Sequence, residues 1–174
     1  MPEMWDVYDI NRKPLGKLHD RAKYSEDPLL EGEYHIVVNI VSVNSDGKIL
    51  VTKRHPDKTF GGLWEITGGS IVAGENSADG AERELFEETG LSAERSLEYR
   101  GTIVRPQTNS IHDFYLFRGA FGEGDIRLQE GETTDFRLVT AGELCGMAQV
   151  GELIGFVYDR IKAVFPDILE DEKA

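Results

Sequence analysis

Three glutamates, Glu84, Glu87 and Glu88, stand at relative positions 0, 3 and 4 of a segment that reads as a helix. An α-helix turns about 100° per residue, so the three side chains leave it within one arc roughly 100° wide. Like charges at this spacing oppose the helix by about 0.2–0.5 kcal/mol per pair unless something positive sits between them. Carboxylate oxygens suit hard divalent ions, and Mg²⁺ is usually held by one or two carboxylates together with water and substrate phosphates. The alternative for such a triplet, taken alone, is a solvated acidic face.

The flanking residues predict a helix that holds these acids in place. Ala78, Ala81, Leu85 and Thr89 form a small-to-apolar stripe beside them, so the helix packs its back on a core and presents the carboxylates at a rim. Asn76 is the expected N-cap, with Asp79 three residues on, and Gly90 stands where a left-handed residue ends a helix. Gly80 disfavours the helix by about 1 kcal/mol relative to alanine, which marks either a close approach or a tolerated weakness.

Gly69, Glu75, Arg83-Glu84-Leu85, Glu87-Glu88 and Gly90-Leu91, at their observed separations, resemble a complete Nudix box spanning residues 69–91. Seven fixed identities and two aliphatic positions would coincide by chance about once in 10⁸–10¹⁰ starting positions at ordinary composition. The resemblance implies a loop–helix–loop that carries Mg²⁺ or Mn²⁺, with Glu84, Glu87 and Glu88 as ligands and the Gly69 carbonyl assisting. It also implies that Glu75 and Arg83 pair, bracing the loop against the helix. The fold it implies is an α/β/α sandwich on a mixed sheet. The implied activity is hydrolysis of a pyrophosphate bond in a nucleoside diphosphate linked to another group, ADP-ribose among them. Many members of the family are dimers, which leaves a homodimer open.

The wider similarity, from about Trp5 to Leu144, follows the isopentenyl-diphosphate-isomerase-like branch of the superfamily through YDINRKPLGK, EGEYH and GKILVTKRHPDKTFGGLWEITGGS. Isomerisation itself is the competing activity. In that family a catalytic cysteine precedes the first box glycine and a histidine follows it; here these positions are Gly68 and Ser70. A fold that binds a nucleotide without cleaving it is a third possibility, against which the intact glutamates stand.

At 174 residues the chain suits one domain, able to bury roughly 70% of the surface its unfolded form exposes. The expected division is a single domain with an N-terminal extension over residues 1–33 and an acidic tail over 166–174. Cys145 is the only cysteine, which excludes an internal disulfide and a cysteine-rich zinc site. The start MPEMWDVYDI has neither a basic nor an apolar leader region, no apolar run approaches the ~20 residues of a membrane span, and a cytoplasmic protein is expected. The net charge of −13 disfavours duplex nucleic acid and anionic membranes as partners. The same acidity means that a small phosphorylated substrate needs a local cation to approach.

Several elements are expected to position these groups. Trp5–Ile10 reads as an edge strand, 11–14 as a turn, and 17–33 as a loop with one helical turn. Tyr34–Val43 and Ile49–Arg54 read as a hairpin about Asn44-Ser45-Asp46-Gly47, and a Gly-rich turn with a short strand through Ile66 delivers the chain to the box. Leu97–Arg105, Ile111–Phe121 and Phe136–Val139 read as strands, and Ala141–Met147 as one or two helical turns. Apolar residues at 150, 153, 154, 157, 161, 164 and 165 predict one amphipathic helix over Val150–Phe165, ended by Pro166.

Catalytic roles fall to Glu87 and Glu88, with Arg83 as brace and Glu132, in GETTDFRLV, as the later-loop candidate for the proton acceptor. Arg54, followed by His55-Pro56 and near Lys53 and Lys58, is a candidate for substrate phosphate, or simply a surface cation. Trp64 is a candidate to stack a base, or a core residue. His35 resembles the position of a metal-binding histidine in the isomerases; a buried, hydrogen-bonded histidine is its alternative. His55 and His112 carry no specific signal, and Cys145 reads as a packing residue. Pro106, fifteen residues beyond Leu91, resembles a mark of ADP-ribose pyrophosphatases, though prolines favour turns in any case.

Overall fold

The structure is a computed structural model that describes residues 2–170. Its centre is β3 (His35–Asn44), whose β-branched run HIVVNIVSVN is buried at most positions. Along its whole length β3 pairs in parallel with β8 (Ser110–Gly119), which in turn pairs antiparallel with β7 (Glu98–Arg105). On the other edge, Val37–Ile40 pair antiparallel with Thr67–Ser70 of β6.

That arrangement corrects the expected hairpin. β3 and β4 (Ile49–Arg54) share only the register pair Val43↔Ile49, because β6 occupies the edge of β3 that a full hairpin would need. A strand has two edges, so β4 turns away and pairs with β5 (Trp64–Glu65) and with β9 (Thr133–Val139). The sheet therefore splays between β6 and the end of β4.

Two cores flank it. Ile71, Ala81 and Leu85 pack with Val38, Ile40, Leu50 and Phe121 beneath α1 (Ser77–Thr89). Leu144, Val157, Ile161 and Phe165 pack on Val41, Val51, Phe114 and Leu116 beneath α2 (Ala141–Gln149) and α3 (Gly155–Val164). Helices on both faces of a mixed sheet make the α/β/α sandwich that the box implied.

The helix expected over Val150–Phe165 is shorter, only Gly155–Val164 being helical as α3. α2 is longer than expected and starts from a reciprocal Thr140/Glu143 capping box. Gly151, at φ 75°, ends it in the left-handed region that glycine adopts without a Cβ penalty. The Trp64 amide then donates to the Glu152 carbonyl, and the Ile154 amide donates to the Trp64 carbonyl, both at 2.9 Å. Val150, counted as apolar-face, is 73% exposed. α3 ends at Val164, just ahead of Pro166 as expected, and Pro166 in turn opens α4 (Pro166–Glu170), where its missing N–H is no loss; Ile168 of that helix is buried. The rest of the expected acidic tail, 171–174, lies outside the described residues.

The N-terminal stretch is also more ordered than expected, since β1 (Met4–Tyr8) and β2 (Pro14–Asp20) pair antiparallel and replace the first part of the expected loop. Trp5 of this hairpin stacks on His35, ring centroids 3.9 Å apart and 6° from parallel. The turn of the hairpin sends Arg12 to Asp113 of β8, a carboxylate with 1% exposure, in a two-point ion pair. Ser77 of α1 and Thr102 of β7 donate to the same carboxylate, so one buried charge ties hairpin, sheet and helix together. Removing a partner from a buried pair strands the remaining charge. R12A is therefore expected to lower unfolding free energy by about 3 kcal/mol in denaturant titration and to deprotect the hairpin amides in hydrogen exchange. A loss under about 0.5 kcal/mol would mean that Ser77 and Thr102 suffice.

Candidate active site

α1 begins and ends as its residues predict. Asn76 caps it by accepting from the Asp79 amide at 3.0 Å, and Gly90 ends it at φ 74°. The buried arc differs from the expected one: Ala78 is exposed, while Glu84 and Glu88 are 9% and 8% exposed. The acids thus do not merely stand at a rim. Glu84 and Glu88 turn in toward β6, and Glu87 alone faces solvent.

Glycines make that inward turn possible. A Cβ on Gly69 would lie 2.4 Å from the Glu84 carboxyl carbon, so only glycine lets this carboxylate lie against the β6 backbone. A Cβ on Gly80 would meet the Ile71 methyl at 2.5 Å and Glu75 Oε2 at 3.0 Å, so this residue marks a close approach and not a tolerated weakness.

Arg83 organises the acids. Its Nε and Nη2 donate to the two Glu75 oxygens, each at 2.9 Å, and Nη2 also donates to the Ser70 carbonyl at 3.2 Å. Its Nη1 donates to Glu84 at 2.8 Å and to Glu87 at 3.0 Å. The bidentate Glu75 pair fixes the guanidinium plane, and the carboxylates raise the Arg83 pKa. Burial raises the Glu84 carboxyl above its usual range despite Arg83. Glu88 is raised further, by burial first and then by the nearby charges of Glu65 and Glu84. Its one hydrogen bond is a long one, 3.3 Å from the Gly68 amide.

A cleft of about 490 Å³ lies where the sheet splays. One wall carries Arg83, Glu84, Glu87, Glu88, Gly68 and Gly69; the others carry Arg54, Lys58, Gln129 and Glu132, with Glu3 and Arg21 from the N-terminal hairpin. Arg54 donates to Glu65 at 2.6 Å and to the Thr59 carbonyl at 2.8 Å, and Lys58 ion-pairs with Glu132. The sequence pointed to Arg54, Lys58 and Glu132, and the fold brings all three to the box. Arg21 and Gln129 carried no signal in the sequence, because they reach the cleft only through the hairpin and a turn.

Other candidates lie elsewhere. Trp64 is 3% exposed and buried in the core under α2 and α3, with Arg137 stacked 4.4 Å from its ring centroid, so stacking of a base on Trp64 is corrected to a packing role. Lys53 sits over the same ring and does not line the cleft. His35 is buried against Trp5 with Nδ1 on the Asn109 carbonyl at 3.0 Å, and burial pushes its pKa down to about 4. Pro106 opens a short 3₁₀ turn, and Cys145 is half-buried on α2.

The donor set fits a hard divalent ion. Among the described residues, no group of three carboxylate, imidazole or thiol side chains is placed to hold a metal ion. Two inward carboxylates, one of them poorly hydrogen-bonded, supply the negative charge.

A mixed sheet between helices, with an acid-bearing loop–helix–loop at its splayed edge, defines the class as Nudix-fold. A model of the NUDIX domain matches residues 33–155. The chain is 32% identical over 158 residues to an uncharacterized Nudix hydrolase of Listeria monocytogenes, covering 90% of each. A crystal structure from Deinococcus radiodurans superposes with a TM-score of 0.76 at 20% identity, over 94% of this chain and 99% of that one. The NUDIX domain of Shewanella oneidensis NrtR, solved with ADP ribose, superposes with a TM-score of 0.62 at 19% identity, over 83% and 96%. The chain belongs to the Nudix hydrolase family.

Like charges held out of water oppose folding. E88Q removes one of them while keeping the shape, and is expected to raise the metal-free melting temperature by about 2–4 °C, the equivalent of ~1 kcal/mol in a chain of this size. Mg²⁺ or Mn²⁺ is expected to raise the wild-type melting temperature and to leave that of E88Q nearly unmoved. A metal-free E88Q that melts lower than wild type would contradict the electrostatic account.

Proposed function

We propose that this protein hydrolyses the pyrophosphate bond of a nucleoside diphosphate linked to another group, with Mg²⁺ or Mn²⁺ as cofactor. The observation that carries this proposal is the meeting of Glu84, Glu87 and Glu88 with Arg54, Lys58 and Glu132 across one cleft. Glu84, Glu87 and Glu88 would hold the cation, with the Gly69 carbonyl assisting. Bound there, it supplies charge neutralisation on the diphosphate and acidifies water.

The chain's own groups supply the rest. Arg54 and Lys58 offer positive charge to substrate phosphate from the wall opposite the acids. Glu88, one of the buried box acids, suits the acceptor of a proton from the attacking water. Glu132, tethered by Lys58, suits orienting that water from the far side. Arg83 orients the acids by donating to Glu75, Glu84 and Glu87.

The isomerase alternative is disfavoured by more than sequence. A Cβ on Gly68 would lie 2.4 Å from the Val38 carbonyl oxygen, so a catalytic cysteine has no room there unless backbone moves. The non-catalytic alternative is answered by phosphate release from dinucleotides, nucleotide sugars and ADP-ribose.

E87Q and E88Q are each expected to lower kcat by about 10²-fold or more, with circular dichroism unchanged. E132Q should lower it less, by about tenfold. Chelation should abolish turnover, and Mg²⁺ or Mn²⁺ should restore it. Wild-type rates in both box variants would refute the mechanism.

A further inference from the structure

A second cavity, about 250 Å³, adjoins the first and shares Arg54, Thr59 and Gly68 with it. Much of its lining is apolar, with Phe60 and Phe156 meeting edge to face at 5.7 Å. Asn39, His112 and Arg160 line it from β3, β8 and α3. None of these three was singled out by motif, since each comes from a different element.

Their hydrogen bonds define what the cavity offers. Asn39 Nδ2 lies 3.3 Å and Arg160 Nη1 3.5 Å from His112 Nδ1. An amide NH₂ and a guanidinium both donate, so Nδ1 is the bare nitrogen and Nε2–H donates to Ser110 Oγ at 3.0 Å. His112 is therefore neutral, consistent with burial pushing its pKa to about 3.

Arg160 remains charged without an acid to meet it among the described residues. Its guanidinium lies 4.1 Å from the Phe156 ring centroid, and that of Arg105 approaches the same ring at 5.8 Å. Its Nε is buried with no hydrogen-bond partner. The cavity's one carboxylate, Glu65, is already taken by Arg54. Two arginines gathered at an apolar slot repel each other, and a half-buried cation in such surroundings is unfavourable until an anion joins it. In a chain of net charge −13, this is a local reversal of sign beside the cleft.

We propose that this cavity receives the organic half of the diphosphate substrate, and that Arg160 binds a further anionic group, a phosphomonoester or a carboxylate, on that half. The proposal rests on the first cleft being the diphosphate site, and it narrows the substrate class to diphosphate-linked compounds carrying a third anion.

Binding of the isolated halves tests it without turnover. With the full chain in calorimetry, adenosine 2′,5′-bisphosphate is compared with adenosine 5′-monophosphate, and glucuronic acid 1-phosphate with glucose 1-phosphate. Within at least one pair the member with the extra anion should bind about tenfold more tightly. The first pair reports a phosphomonoester and the second a carboxylate. In R160M, which keeps an apolar chain against Phe156, the ratio should fall to within about twofold; should R160M not fold, R160Q takes its place. Ratios near one in both wild-type pairs, or a tenfold preference that survives loss of Arg160, overturn the proposal. Absence of hydrolysis on any substrate would instead sink the proposed reaction while leaving these ratios measurable.

Discussion

Negative charge held where water is scarce is the condition on which the site depends. Glu84 and Glu88 lie turned into the protein, and burial opposes their ionisation. Arg83 offsets part of this by donating to Glu75, Glu84 and Glu87 at once, yet Glu88 receives nothing from it. A site so arranged is electrostatically incomplete. The proposed cation would offset that charge and admit an anionic substrate to a protein of net charge −13.

The strand pairing serves the same end. Because β6 takes the edge of β3, β4 leaves its hairpin partner and the sheet opens. The box backbone lines one side of that opening, and the end of β4 with the loop before β9 lines the other. The N-terminal hairpin adds Glu3 and Arg21 and is locked to the sheet through the Arg12–Asp113 pair. Sheet splay, hairpin docking and charge placement are thus one construction, in which the acids of α1 face cations brought from distant parts of the chain.

Glycine acts here through the space it leaves. Gly68, Gly69 and Gly80 each occupy a position where a methyl group would strike a carbonyl, a carboxylate or a neighbouring side chain at 2.4–2.5 Å. Gly69 and Gly80 let α1 and the β6 segment approach until Glu84 reaches the strand backbone, and Gly68 lets β6 lie against β3. The Gly80 approach outweighs the local helix penalty of about 1 kcal/mol, which is why a residue poor for the helix stands within it.

Local chemistry determined the parts that depend on neighbours in the chain. The caps of α1, the face shared by the three glutamates and most strand segments follow from spacings of a few residues, where geometry leaves little choice, while the Glu75–Arg83 brace was implied by the resemblance to the Nudix box. The apolar periodicity over 150–165 misled because a turn at Gly151 and pairing of Glu152 and Ile154 with Trp64 reproduce helical spacing by coincidence. Whether β3 stays with β4, whether Trp64 faces a base or the core, and which cations meet the box were decided only by tertiary structure. Each depends on competition for a strand edge or a buried volume among residues far apart in the chain, and the second cavity of Asn39, His112, Phe156 and Arg160 exists only once β3, β8 and α3 have packed.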